Sequence, residues 1–356
     1  MQEVKQNSFK GQTFFVGIDV HLKNWEVTIR NNHMVLRTFS MNPSPHELAR
    51  HLKRNYPGGI YHSVYEAGFC GYWIHRDLEN LGIHNIVIHP ADVPTSEKEK
   101  QNKTDRIDSR KLARELENLT LESIYIPNEA HQHLRALRRL RDRQVQNMTR
   151  VKNRIKSHLY MNGIDIPSHT EMSHWSGRFI QWLESLEFST SAGSDYLRIC
   201  IEELRACRAR IAEIVRLLRS YCKELGITDL IGHLRSIPGI GFITAITFYT
   251  EMMDIYRFRT LDHMCSFVGL VPSVHSSGDH EWHGRLTNRK NSYLRHMLIE
   301  ASWIAIRKDS ALLLAFTELT KRMSKQRAII RIARKLLNRI RYVWLNQESY
   351  VYAVVE

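Results

Sequence analysis

Apolar and polar positions alternate over short spans at the start of the chain, then settle into long helical periods. Thr13 to Asp19 (TFFVGID) is a brief apolar run ending on an acid, Asn24 to Arg30 (NWEVTIR) alternates, and Met34 to Phe39 forms a third short stretch. That spacing predicts a three-stranded antiparallel meander. Pro45 to Asn55 reads as a helix, Ile60 to Glu66 (IYHSVYE) as a strand again ending on an acid, and Gly71 to Leu81 as a second helix. Asn85 to His89 (NIVIH) is a fifth strand closed by Pro90; beyond a polar, Lys-rich loop comes a helix carrying Asp105 and Asp108. The order β-β-β-α-β-α-β-α predicts an α/β domain with a mixed sheet.

From His131 the period changes. Leu134, Leu137, Met148, Val151 and Ile155 lie near a heptad seam that Arg141 and Gln144 interrupt. A second arm steps by threes and fours through Leu197, Cys200, Leu204, Cys207, Ile211, Ile214, Leu218, Tyr221 and Leu225, with Ser194 as expected N-cap and Gly226 as stop. A short helix over Arg178 to Leu186 falls between the arms. Two helices of one core would satisfy this pattern, but so narrow a seam favours a coiled-coil hairpin that pairs protomers. Leu234 to Ala245 (LRSIPGIGFITA) then reads as helix, tight turn, helix. Gly239 and Gly241 would let the backbone turn and bare N–H groups at the next helix start, like a phosphate-gripping helix-hairpin-helix; a plain αα turn is the alternative. A polar loop bearing His and Arg runs to Arg289, and a helix opens near Asn291. The tail from Ser302 to Asn346 reads as helical, with Lys321, Arg322, Lys325, Arg327, Arg331, Arg334, Lys335, Arg339 and Arg341 as a basic array over an apolar stripe. The expected domains are 1–128, 129–226 and 227–356.

Charge narrows the function classes. With 51 Lys and Arg against 37 Asp and Glu, the 356-residue chain carries a formal net charge of +14 and a pI near 9.6, while 43% hydrophobic and 25% charged residues are ordinary for a globular protein. The excess points to a polyanion partner. Nucleic acid is preferred to a membrane, because no apolar run approaches the roughly 20 residues that span a bilayer. The chain start lacks a secretory pattern, so a cytoplasmic location is expected. Five cysteines without a C-x-x-C support neither a zinc knuckle nor a disulfide frame, and the lack of a Gly-rich phosphate loop argues against an NTP motor.

Candidate chemistry begins with Lys103 to Ala113 (KTDRIDSRKLA). Asp105 and Asp108, three apart on a helix, share a face and repel unless a cation or proton sits between them. A helix cap from Thr104 or Asp105 with a solvated Asp108 is the simpler alternative. Asp19 and Glu66, at strand ends, could converge on the pair, and four carboxylates would hold two divalent ions suited to phosphoryl transfer.

FVGIDVH, YEAG and KTDRIDSRKLA together resemble the three blocks of the RuvC-like domain of DEDD transposases of the insertion-sequence 110 family, related to the Piv and MooV DNA invertases. The resemblance implies an RNase H-like fold, Mg²⁺ as the metal, and a metal-binding, catalytic tetrad at Asp19, Glu66, Asp105 and Asp108. GLVPSVHSSGD and RLTNRKNSYLR resemble the family's C-terminal transposase block, which implies a nucleophilic serine at Ser277, with Ser276, Ser273 and Ser292 as fallbacks. Activated by a base or metal, that serine would form a phosphoserine link to DNA. Arg285, Arg289, Lys290 and Arg295 would balance charge on the phosphate. The family's T-K-x-G-N-x-x-L-R stands here as Thr287 to Arg295 (TNRKNSYLR), with Asn288 in place of lysine and Lys290 in place of glycine.

The expectation is therefore a mobile-element DNA recombinase. It has a RuvC-like N-terminal domain, coiled-coil helices and an α-helical C-terminal transposase domain. By the same resemblance it acts on donor and target DNA as paired dimers forming a tetramer, acids of one protomer beside Ser277 of another, and is guided by a structured bridge RNA. A metal-dependent junction nuclease and a non-catalytic nucleic-acid scaffold are the alternatives.

Overall fold

A computed structural model describes residues 9–94, 104–277 and 280–352, the side chains of 273–285 excepted. The chain separates into two compact units, Met1–Ile126 and Pro127–Glu356.

The first unit is built on a five-stranded sheet: β1 (Thr13–Val20), β2 (Trp25–Asn31), β3 (Met34–Met41), β4 (Ile60–Glu66) and β5 (His84–Ile88), ordered β3-β2-β1-β4-β5. β1 pairs antiparallel with β2 and parallel with β4, so the sheet is mixed, as the element order predicted. Alternation assigns the faces. Phe14, Val16 and Ile18 of β1, Trp25, Val27 and Ile29 of β2, and Tyr61 and Tyr65 of β4 are buried in one apolar cluster with Leu48 and Leu52 of helix α1 (Pro45–Asn55) and Ile74 and Leu78 of helix α2 (Trp73–Asn80). α1 starts where Ser44 Oγ accepts from the Glu47 amide, with Pro45 in its first turn. The other face carries Gly17 and Asp19, Thr28, and Val64 and Glu66, and helix α3 (Asp105–Glu117) lies across it with Leu112 and Leu116 buried against Val64 and Ile88.

The second unit begins with two long helices, α4 (Glu129–Met161) and α6 (Ser191–Glu224), separated by the short α5 (Gly177–Glu184). They pack on one another within the chain and serve two cores. Val151, Ile155 and Leu159 meet Leu197, Cys200, Ile201 and Leu204 around Phe179, Ile180 and Leu183 of α5. At the opposite end, Leu134, Ile214, Leu218 and Cys222 join the large core of α7 (Thr228–Arg235), α8 (Phe242–Met252), α9 (Leu261–Val268), α10 (Ser292–Ala305), α11 (Ser310–Thr320) and α12 (Lys325–Asn346). The polar break expected at Arg141 and Gln144 falls between the two cores. The second arm starts earlier than expected. Thr190, not Ser194, is its N-cap, accepting from the Gly193 amide at 3.4 Å.

One further expectation is corrected. The polar stretch before Arg289 is a two-stranded antiparallel ribbon, β6 (Pro272–Ser277) with β7 (His280–Leu286), rather than a loop. A single ribbon needs no continuous apolar face, so the sequence carried little period-2 signal there. The tail is helical as expected, carried by the end of α10, by α11 and by α12, with Asp309 and Ser324 as the N-caps of the last two.

One ion pair, its carboxylate buried and its guanidinium half-buried, ties α4 to α8. Arg139 Nε and Nη2 each donate to Glu251 at 2.7 Å, and Asn291 Nδ2 adds a bond at 2.9 Å. Burial works against charge on Glu251, but the bonds and field of Arg139, with Asn291 and Arg135, outweigh it and hold the carboxyl below its ordinary value. A lowered folded-state value means stability that is complete above the unfolded value of 4.5 and lost as pH falls through the folded one. Glu251→Ala should destabilise the unit by about 1–3 kcal/mol, the cost of losing charge-assisted hydrogen bonds to a guanidinium that keeps access to water. Glu251→Gln should flatten the acid side of its stability curve, measured by urea unfolding between neutral pH and pH about 3.

Candidate functional site

β1 and β4 run parallel in the register Ile18 to Tyr65, so Asp19 and Glu66 fall one step further on, at neighbouring strand ends and on the same face. A helix must then come close enough to deliver Asp105 and Asp108. Gly17 makes that possible. A Cβ at this position would stand 2.1 Å from the Ser109 carbonyl oxygen and 2.4 Å from the Ala113 nitrogen, so the backbone of α3 rests directly on β1. The helix is fixed from its sides as well. Thr28 Oγ1 and Ser109 Oγ are 2.9 Å apart and buried, Arg106 Nε donates to Glu26 at 3.2 Å, and Arg30 Nε to Glu117 at 2.7 Å. Its first turn is closed by Thr104 Oγ1, which accepts from the Ile107 amide at 3.3 Å, leaving the carboxylates of Asp105 and Asp108 free of the cap itself.

Asp19, His21 and Asp105 thereby offer ligand atoms that all lie within 4.8 Å of one another. His21 Nε2 is 3.1 Å from Asp19 Oδ2 and 3.5 Å from Asp105 Oδ2. Burial pushes the Asp19 carboxyl above its usual range; His21 works the other way, and the charges of Asp105 and Asp108 add to the rise. Glu66 and Asp108 stand outside the tight group, although Asp108 is near enough for its charge to reach Asp19. Two residues escaped the sequence reading. His21 was legible only as the third letter of D-V-H. Glu26, opposite Asp19 on β2, is 5% exposed and neutralised by Arg106, which separates it chemically from the other acids.

In the second unit, Gly239 takes φ +84°, and a Cβ there would stand 2.3 Å from the Ala301 carbonyl oxygen, so this glycine lets the turn between α7 and α8 pass under α10. Gly241 is the N-cap of α8 and offers no side chain to its amides. Arg295 turns inward: Nη2 donates to the Thr287 carbonyl at 2.6 Å beside Gly269, and burial lowers its value. Lys290 and Arg289 are exposed just before α10. Ser277 ends β6, paired with His280; its side chain and those of Ser273, Ser276 and Arg285 lie outside the described residues, as do Gly278 and Lys103. Ser292 is the first residue of α10. Three cations of the basic array on α12 are used within the fold. Arg334 pairs with Asp262 at 2.7 Å, Arg339 reaches Asp309 at 3.6 Å, and Arg341 donates to the Arg259 carbonyl at 3.4 Å.

A mixed sheet with acids gathered at the ends of two parallel strands, roofed by a helix that adds two more, fits an RNase H-like DEDD transposase domain. A family model of that type, described as "Transposase", matches residues 16–161, and one described as "Transposase IS116/IS110/IS902 family" matches residues 232–318. The chain belongs to the IS110 family of transposases. It is 29% identical over 239 residues to the putative transposase y4qE of Sinorhizobium fredii, covering 67% of this chain and 57% of that one. To the transposase for insertion sequence element IS1111A of Coxiella burnetii it is 27% identical over 292 residues, 80% of this chain and 77% of the relative. The transposase for IS1533 of Leptospira borgpetersenii is 27% identical over 252 residues, with 67% and 70% covered. No helix among the described residues is long and apolar enough to cross a membrane.

Because the α3 backbone lies directly on Gly17, Gly17→Ala should force the helix away. The expected cost is about 1–3 kcal/mol by urea unfolding, in the range of an overpacked core, with Gly17→Val worse. A Thr28→Val substitution at the neighbouring strand should cost less, about 0.5–1.5 kcal/mol for one lost hydrogen bond, because Ser109 Oγ keeps its bond to the Arg106 carbonyl at 3.2 Å, and should leave the helix in place.

Proposed function

We propose that the chain cuts and rejoins DNA as the transposase of a mobile element, with Asp19, Glu66, Asp105 and Asp108 holding Mg²⁺ and Ser277 as the nucleophile. The observation that carries the reading is the crowding of Asp19, His21 and Asp105 into one corner of a sheet face that also bears Glu66, with Asp108 close enough to be felt at Asp19. A half-buried Asp19 with the charges of Asp105 and Asp108 beside it is costly on its own, and carboxylate oxygens are the donors that hard divalent cations prefer. The donor set therefore fits the metal, with the His21 imidazole as an added nitrogen donor or as the group that orients Asp19. A bound divalent cation would supply Lewis-acid stabilisation of the phosphodiester oxygens.

The chain's own part is positioning and nucleophilic attack. The Ser277 hydroxyl gives up its proton and its Oγ bonds to phosphorus as a bond from phosphorus to one DNA strand breaks. The departing strand end leaves as a hydroxyl. One phosphoester replaces another, so the hydroxyl of a second strand can reverse the exchange with no ATP consumed. Arg289 and Lys290, with Arg285, are assigned to the phosphate, and Gly239 and Gly241 to a backbone contact of the helix-hairpin-helix kind. Arg295 is assigned instead to holding the loop before α10. The surplus positive charge suits both DNA and a structured guide RNA, and the α4–α6 hairpin suits pairing of protomers into dimers and of dimers into a tetramer.

Denatured reaction products test the chemistry. With Mg²⁺ and the ends of the element as substrate, DNA should carry covalently attached protein, and both Ser277→Ala and Asp108→Ala should abolish the adduct. Free ends alone, persisting in Ser277→Ala, would overturn the serine mechanism in favour of a metal-dependent junction nuclease. The metal has a readout of its own. Asp19→Asn should raise the metal-free melting temperature by removing a crowded charge, and should abolish the stabilisation that Mg²⁺ gives the wild type, about 2.7 kcal/mol at a hundredfold excess over Kd.

A further inference from the structure

We infer that the cavity between the end of α6, α7 and the start of α8 is a pocket for one unpaired nucleotide of a bound strand. The inference rests on the proposed reading of the chain as a nucleic-acid enzyme and adds a site to it. The cavity has a volume of about 710 Å³, within the usual range for ligand pockets. Its wall holds a ready-made stacking layer: the Arg219 guanidinium lies 4.2 Å over the centroid of the Phe242 ring. A purine or pyrimidine face extends such a stack at little cost in sequence preference, because every base presents a π surface.

Charge around the cavity is arranged for a phosphate. Arg219, Lys223 and Arg235 line it and are exposed. None of the three has a carboxylate within ion-pair distance among the described residues, whereas Arg139, Arg334 and Arg339 are each paired. Three uncompensated cations around a partly apolar hollow suit an anion that brings an aromatic ring with it. Asp229 is the one acid in the lining. As an ionised carboxylate it only accepts hydrogen bonds, so it suits the amino or imino groups of a base edge and keeps the phosphate to the cationic side. His233 also lines the hollow, its Nδ1 held 3.1 Å from Ser349 Oγ. A paired base inside a duplex has both faces covered by its neighbours, so the pocket selects a nucleotide that is unstacked. An unpaired nucleotide of a guide RNA and one of a displaced DNA strand share this chemistry.

The test uses the full chain and four short fluorescent probes of one sequence: single-stranded RNA, single-stranded DNA, and the two matching duplexes. Phe242→Leu keeps an apolar side chain against the core while removing the ring, and Arg219→Gln alters an exposed side chain only. Each should raise the Kd for a single strand by about tenfold, the scale of one lost stacking contact, with duplex affinity changed less than about twofold. The larger effect on the RNA or the DNA strand identifies the source of the nucleotide. Unchanged single-strand binding in both variants, or an equal loss on duplexes, overturns the pocket while leaving duplex binding and the proposed recombinase intact. A wild-type chain that binds none of the four overturns the pocket together with the nucleic-acid reading beneath it.

Discussion

The first unit depends on one contact without side chains, that of the α3 backbone with Gly17 of β1. A mixed sheet brings two acid-ending strands side by side simply by running them parallel. It cannot bring in a third and fourth acid unless a helix lies almost on the strand. At a 2.1 Å approach for a hypothetical Cβ, any other residue would hold the helix off. The flanking bonds of Thr28 to Ser109, Arg106 to Glu26 and Arg30 to Glu117 then settle the rotation of the helix, so that its first turn faces Asp19. Packing and electrostatics oppose each other here. The apolar contacts of Leu112 and Leu116 draw the helix in, and the charges of Asp105 and Asp108 raise the energy of an ionised Asp19.

The second unit shows how misleading a count of basic residues can be. The excess of Lys and Arg suggests a molecule covered with free cations, yet many are consumed internally. Arg138 is fully buried, 2.5 Å from Asp142 and bonded to Thr247, and Arg139 is locked to Glu251. On α12 the pairs with Asp262 and Asp309 do the same. What distinguishes a surface available to a polyanion is cations with no carboxylate in ion-pair range, and Arg219, Lys223 and Arg235 around the hollow beside Phe242 have that property among the described residues, although Asp229 also lines it.

The strands of the first unit were legible because each is short, apolar on one face and closed by a turn signal, and the mixed sheet followed from element order. The acids at Asp19 and Asp105 were legible as motif letters, and the structure brings those two together. Their third companion, His21, carried no pattern of its own, since proximity across a strand end has no period. Ser194 was read as the cap of the second arm because it precedes the first periodic apolar residue, whereas the helix begins a turn earlier, where Thr190 accepts from the Gly193 amide. The ribbon of β6 and β7 was missed for a different reason. Its stretch reads as polar, and the hydrogen bonding of a two-stranded ribbon leaves little trace in composition.

α4 belongs to two cores with a polar interval between them. At 1.5 Å per residue its 33 residues make a rod of about 50 Å, anchored at one end in the large helical core and at the other in a small one built around Phe179. Cooperativity weakens across a span that few apolar contacts bridge. The outer end is thus a semi-autonomous module: it can loosen, lengthen or change its surface during evolution while the inner end keeps its register.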